Sequence, residues 1–301
     1  MKPLKLGIIG LDTSHVVGLA ETFNDPNSAK ALPGARIEVA FPAGSPDFPS
    51  SANRLALYTD KLRDEYGVRM VDSAKAVAEE VDAVLLTSVD GRVHLAQFSE
   101  IAAFRRPTFL DKPFALTTAD ARAIRDLSVK HGTPLFGCSS LRFAPELTSA
   151  IADTETGDRI IGADFAGPMA WNPPQTGYFW YGVHAVEMIY TALGVGCHSV
   201  TVTSNENHDV LVGLWKDGRI GVARGNRAGN NAFAGRLCRE KGYQPIDVKT
   251  TSTAAHDLAK AILAFFQGGP TPVSLDETVE LTRFLEAANE SRDCGGKTVV
   301  L

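Results

Sequence analysis

Hydrophobic and polar positions along the chain follow two different rhythms, and the change comes near residue 137. Before it, short β-branched or apolar runs fall at 4–9, 36–41, 81–87, 107–110 and 134–136. Stretches of helical period separate them at 14–24, 51–66, 73–80, 92–104 and 117–131. Strands alternating with helices of about ten to fifteen residues predict βαβ units on a parallel sheet. Right-handed crossovers then give a doubly wound α/β fold. Ser73 reads as an N-cap, and Thr117-Thr118-Ala119-Asp120 has capping-box spacing. The stretch from Phe41 to Pro49 carries three prolines and a glycine, which predicts a stiff, turn-rich loop after the second strand.

Beyond residue 137 the pattern changes. A connecting helix is expected over 141–153, interrupted early by Pro145, then a strand over 159–165 and an apolar helix over 183–193 that Gly194 ends. Alternating runs follow at 199–204, 209–215, 219–224 and 232–238, and Asp217-Gly218 joins two of them with a hairpin signal. Helices over 254–267 and 276–292 and a short tail strand complete the chain. Grouped strands with helices to one side predict an α+β second domain on an open, mostly antiparallel sheet. The expected division is a Rossmann-type dinucleotide domain over 1–137 and a substrate-binding and oligomerisation domain over 138–301.

Composition sharpens this picture mainly by exclusion. A chain of 301 residues usually holds more than one core. Its formal net charge is −5, with both signs dispersed, which argues against nucleic acid and against an anionic membrane surface as partners. No apolar run approaches the roughly 20 residues that span a bilayer. The N-terminal residues run straight into a strand without signal-peptide architecture. Cys138, Cys197, Cys238 and Cys294 are scattered without CxxC spacing and read as reduced thiols, so a cytoplasmic protein is expected.

The candidate chemistry is concentrated at three places. Lys5-Leu6-Gly7-Ile8-Ile9-Gly10 is a strand entering a glycine turn, the usual start of a dinucleotide fold. Asp111-Lys112-Pro113 follows the apolar run 107–110, and a lysine just past the carboxyl end of a parallel strand faces the crevice where open α/β sheets bind ligands. Gly182-Val183-His184-Ala185-Val186-Glu187 sets a histidine at the head of an apolar helix. A lysine whose ammonium is destabilised by burial or a nearby cation works as an acid–base group near neutrality. Histidine does so without tuning. Glu187, one turn past His184, is placed to orient the ring or to contact substrate, or else to form a salt bridge.

These motifs, in this order, resemble the glucose–fructose oxidoreductase / inositol dehydrogenase (Gfo/Idh/MocA) family over nearly the whole chain. The resemblance rests on Gly7 and Gly10, on Thr87 with His94 seven residues on, and on Asp111-Lys112-Pro113 in place of a Glu-Lys-Pro motif. Arg142-Phe143 with Pro145, and Gly182, His184 and Glu187, continue it. It implies a nicotinamide lying over the sheet, with Lys112 and His184 handling the proton of the reacting carbinol while hydride leaves. It also implies NAD or NADP as cofactor, held by Gly7, Gly10, Asp12, Thr13, Ser14, His15, Thr87, His94, Asp111 and Lys112.

Three departures from that pattern bear on function. Asp12 stands where the glycine fingerprint lets backbone approach a pyrophosphate. A carboxylate about 5 Å from a phosphate costs roughly 3 kcal/mol at an effective dielectric of about 20, so Asp12→Gly would tighten nucleotide binding. One alternative is that Asp12 turns away and caps the helix that follows, which still reduces the room for a pyrophosphate; another is that Thr13, Ser14 and His15 donate hydrogen bonds to the phosphate. Second, the segment after the second strand offers Phe41-Pro42-Ala43-Gly44-Ser45, with Asp47 the nearest carboxylate, so NAD and NADP are not distinguished. Third, Trp180 replaces a family aspartate four residues before His184, within the cluster Tyr178-Phe179-Trp180-Tyr181. Trp171, Asn172 and Trp180 are further candidates for substrate contact. Asp12, His15, His94 and His184 lack chelating spacing, and no metal site is expected.

The expected function is reversible oxidation of a secondary alcohol on a sugar, polyol or similar small polar substrate, by a homodimer or homotetramer. Two alternatives stay open. One is a non-catalytic ligand-binding or regulatory member with weakened cofactor binding. The other is a lyase or glycosidase that uses bound NAD for transient oxidation.

Overall fold

A computed structural model describes residues 2–153 and 158–301. They form two compact units. The first unit comprises residues 1–115, 119–138 and 258–275, and the second 116–118, 139–257 and 276–301.

The first unit is built on a six-stranded parallel sheet of order β3-β2-β1-β4-β5-β6. Its strands are β1 (Leu4–Ile9), β2 (Ala35–Phe41), β3 (Arg69–Met70), β4 (Ala83–Leu86), β5 (Thr108–Leu110) and β6 (Leu135–Phe136). The intervening helices are α1 (His15–Asn24), α2 (Pro49–Tyr66), α3 (Ala74–Glu80), α4 (His94–Ile101) and α5 (Thr118–His131). Strand order reverses between β1 and β4, so the loops after these two strands flank the switch point where such sheets take ligands. Leu6, Ile8, Ile9, Val84, Leu85 and Leu86 have no exposed surface, as expected of strands covered on both faces. Ser73 caps α3 by accepting the Ala76 amide, as its position predicts. Gly7 belongs to this core and not to a ligand site. A side chain there would meet Val77 of α3 at 2.3 Å, so its smallness lets helix and strand touch.

The second unit carries a seven-stranded sheet of order β12-β11-β7-β10-β9-β8-β13. Its strands are β7 (Ile160–Pro168), β8 (Cys197–Ser204), β9 (His208–Trp215), β10 (Ile220–Asn226), β11 (Ala234–Arg239), β12 (Gly242–Asp247) and β13 (Val299–Val300). Among the described residues of this unit, only β7 and β10 pair in parallel. The Asp217-Gly218 turn joins β9 to β10 with Gly218 at φ +89°. Helix α6 (Pro145–Ala152) begins at Pro145 instead of being interrupted there, because proline is favoured in the first helical turn. Helix α7 (Gly182–Leu193) is buried along most of its length and ends at Gly194. The last two helices are α8 (Thr251–Phe266) and α9 (Leu275–Asp293).

The chain does not divide once at residue 137. Residues 258–275 belong to the first unit, where the Phe265 ring packs edge-on against Phe136 at 4.9 Å. Apolar periodicity predicts a helix there but not which core receives it.

Candidate active site

Four loops at the carboxyl ends of β1, β2, β4 and β5 bring the first group of residues together. Gly10 has φ +91°, and a side chain there would lie 2.3 Å from the Ser88 amide nitrogen. Glycine at this position therefore lets the turn after β1 press against the loop after β4. Thr87 fastens the same approach by donating its hydroxyl to the Gly10 carbonyl at 2.8 Å. His94 is fully buried, with Nε2 2.7 Å from the Ser88 carbonyl and Nδ1 3.2 Å from that of Phe114. Thr87 and His94 thus fix these loops from within the fold.

Asp12 turns inward. Its carboxylate has no exposed surface and accepts the Val89 amide at 2.9 Å and the Ser51 hydroxyl at 2.6 Å. Ser51 in turn accepts the Ser45 amide at 2.7 Å. One side chain so ties the turn after β1 to the loop after β4 and to the first turn of α2. Burial pushes the Asp12 carboxyl above the usual carboxylate range, against the pull of its hydrogen bonds to Ser51 and Val89. The carboxylate that would repel a phosphate is directed into the protein, and the expectation that Asp12→Gly tightens nucleotide binding no longer has a basis.

Thr13 is buried, whereas Ser14 and His15 are exposed at the start of α1. His15 Nδ1 lies 2.5 Å from Asp111 Oδ2. Asp111 also accepts the Lys112 amide at 2.8 Å. Burial raises the Asp111 carboxyl, but His15 and Lys112 outweigh it and hold the group below its ordinary value. The Lys112 ammonium is lowered chiefly by burial, with Arg54 adding to the effect and Asp111 opposing it. Arg54, from α2, is a contributor that the sequence pattern does not single out.

In the second unit His184 is set by Ser139, whose hydroxyl lies 2.6 Å from Nδ1. The Ser139 oxygen also accepts the Leu141 amide at 3.1 Å. Glu187 acts one step further back than its spacing suggests. It is 3% exposed, accepts Arg142 Nε at 2.6 Å and takes the Ser139 amide at 3.3 Å. Arg142 also pairs with Glu277. Burial raises the Glu187 carboxyl and Arg142 opposes it. Glu187 therefore anchors the residue that holds the ring, and this buried placement replaces the expected substrate contact. Ser139→Ala should lower kcat/KM about tenfold by freeing the His184 ring, with nucleotide affinity unchanged. Steady-state kinetics alongside a nucleotide titration would separate the two effects, and an unaltered kcat/KM would remove Ser139 from the positioning role.

The aromatic rings divide between core and site. Tyr178 and Phe179 are buried. Tyr181 and Phe233 each place their ring centroids 5.6 Å from that of His184, and Trp180 packs on Tyr181 at 5.9 Å. Tyr181 and Phe233 also line a cavity of about 700 Å³, with Asn231, Lys249 and Thr250 among its polar residues. Trp171 is 46% exposed, but its ring lies 4.4 Å from the Arg227 guanidinium and 4.9 Å from that of Arg292. Asn172 is half-buried and bridges Gln175 through the backbone.

No family model matches the chain, and no curated protein matches it. Solved structures match over nearly its full length. GenD2 from gentamicin A biosynthesis, in complex with NAD, has TM-score 0.80 at 17% identity, covering 100% of this chain and 97% of its own. A probable dehydrogenase from Thermotoga maritima has TM-score 0.79 at 18% identity, with 99% and 98% covered. The myo-inositol dehydrogenase from Lactobacillus casei, in complex with NAD(H) and myo-inositol, has TM-score 0.78 at 13% identity, with 100% and 97% covered. At these identities the likeness is one of fold: a Rossmann-like parallel sheet followed by a unit on a mixed, mostly antiparallel sheet.

Proposed function

We propose that the chain is an NAD(P)-dependent oxidoreductase that interconverts a secondary alcohol and a carbonyl on a sugar, polyol or similar small polar substrate. The observation that carries this reading is Lys112. It stands at the carboxyl end of β5 beside Asp111, and burial and Arg54 make its ammonium easier to deprotonate. A lysine so placed can take the hydroxyl proton of an alcohol. His184, held through Nδ1 by Ser139, is the corresponding proton-handling group of the second unit. The fold neighbours described with NAD support the same class.

The turn after β1 fits a dinucleotide despite lacking the glycine fingerprint, because the Asp12 carboxylate has no surface to present to it. Thr13, Ser14 and His15 at the start of α1 would hold the pyrophosphate, with Thr87 and His94 fixing the loops behind them. When bound, the nicotinamide supplies the hydride acceptor. On the second unit, the cavity beside Tyr181 and Phe233, with Asn231 and Thr250 in its lining, suits a small polar molecule. Leu214 and Ile220, cross-strand neighbours on β9 and β10, are 42% and 47% exposed, which supports a homo-oligomer covering that sheet face. No helix among the described residues is long and apolar enough to cross a membrane.

Titration of the purified protein with NADH, followed by nicotinamide fluorescence, tests the reading. Saturable binding in the micromolar range, followed by turnover in a screen of polyols and sugars, is the expected result. No binding up to millimolar concentrations would end the oxidoreductase reading in favour of a non-catalytic ligand-binding protein.

A further inference from the structure

The cavity on the second unit carries formal charge of one sign. Tyr181 and Phe233 give it aromatic walls, and Asn231, Lys249, Thr250 and Thr251 give it polar ones. Among the described residues that line it, Lys249 alone is charged. Its volume of about 700 Å³ lies in the range of small-molecule sites. Lys249 is exposed, and the acid that meets it takes its backbone instead of its ammonium. Glu146, from α6, accepts the Lys249 amide at 3.4 Å through Oε1, while its Oε2 is buried. The ammonium is therefore not neutralised by that carboxylate.

The same wall is rich in donors. Thr250 and Thr251 lead from Lys249 into the first turn of α8, and that turn contains no acidic residue. Two hydroxyls, the Asn231 side-chain amide and an ammonium with its three donors form the polar inventory. A ligand of matching chemistry carries an anionic oxygen, because a charge-assisted hydrogen bond is stronger than a neutral one, and hydroxyls beside it. The aromatic walls tie this cavity to the candidate chemistry. Tyr181 and Phe233 line it, and the centroid of each ring lies 5.6 Å from that of His184.

We infer that the substrate is a sugar or polyol bearing an anionic group, and that Lys249 receives that group. This inference rests on the oxidoreductase reading above and adds a charge to its substrate. One ammonium balances one negative charge, so a sugar acid fits the cavity better than a sugar phosphate. Because Lys249 is exposed, water and salt moderate the attraction, and a preference of about fivefold in affinity is expected.

The test is a set of calorimetric titrations of the wild type, Lys249→Gln and Lys249→Glu, with and without NADH, and with melting temperatures to show that each variant is folded. The probes are matched: D-glucuronate and D-glucose 6-phosphate against D-glucose, and D-gluconate against D-glucitol. The wild type should bind at least one anion about fivefold or more tightly than its neutral counterpart, and the tighter anion tells carboxylate from phosphate. Lys249→Gln should remove that preference, and Lys249→Glu should reverse it. Neutral probes that bind as tightly as the anions overturn the inference. So do an anion preference that survives in Lys249→Gln and a failure of every probe to bind. If NADH still binds in those cases, the oxidoreductase reading stands without this refinement. A Lys249-dependent anion preference in a protein that does not bind NADH ends the oxidoreductase reading and keeps the anionic ligand.

Discussion

Lys112→Met is expected to lower kcat by about 10²- to 10⁴-fold, the range that a positioned acid–base group supplies. It should do so without destabilising the protein. Lys112 is held where its charged form is disfavoured: burial is the largest cause, Arg54 adds to it, and Asp111 offsets only part. Its folded value lies below 10.5. Between that lowered value and 10.5 the unfolded chain binds more protons than the folded one, so stability rises with pH across this window. Below the window the buried ammonium is a cost to folding. Methionine keeps most of the side-chain length and removes the charge, so the melting temperature at pH 7 should stay level or rise. A drop in activity with an unchanged or higher melting temperature marks a group retained for chemistry at the expense of stability. Retention of most of kcat in the methionine variant would end the catalytic assignment. An unchanged kcat with a lowered melting temperature would make Lys112 a structural residue.

Much of the fold is legible in the sequence because its signals are local. The β1 pattern ending in Gly10, the apolar runs of β4 and β5, and the Asp217-Gly218 turn each state their conformation within a few residues. Strands β3 and β12 escape the same reading for physical reasons. β3 is two residues long and has no period. β12 contains Pro245 and few apolar residues, a composition tolerated because it lies at the edge of its sheet, where one side needs no ladder partner.

The candidate site divides along the same line. Lys112, His184 and the turn after β1 are marked by short motifs. The residues that tune them are not, because they arrive from distant segments. Ser51 reaches Asp12 across 39 positions, and Ser139 reaches His184 across 45. Spacing on α7 puts Glu187 one turn from His184, which allows it either to orient the ring directly or to form a salt bridge, and it forms the salt bridge with Arg142. The ring is instead held by a serine from another segment, with Glu187 and Arg142 behind it. A sequence motif names the reacting group; tertiary packing chooses its supports.

Asp12→Ala should destabilise the first unit by about 2–4 kcal/mol, because two buried donors lose their acceptor. The Val89 amide and the Ser51 hydroxyl both end on this carboxylate, and neither has solvent to replace it. A loss of that size corresponds to a fall in melting temperature of roughly 5–15 °C. Asp12→Asn separates hydrogen bonding from charge. Its carbonyl still accepts the Val89 amide, so the loss should be smaller, about 1 kcal/mol. The pH dependence gives an independent check. Burial raises the folded-state value of Asp12 above 3.8, so between 3.8 and that raised value the folded chain binds more protons than the unfolded one. Stability contributed by this group therefore falls as pH rises through the window, and the asparagine variant should lose that part of the slope. Denaturation of wild type, Asp12→Ala and Asp12→Asn at several pH values measures both effects. An alanine variant as stable as wild type would show that the carboxylate is not the clasp between these loops. The exposed alternative at the turn, a charge facing the phosphate, would then return, and with it the expectation that Asp12→Gly tightens nucleotide binding.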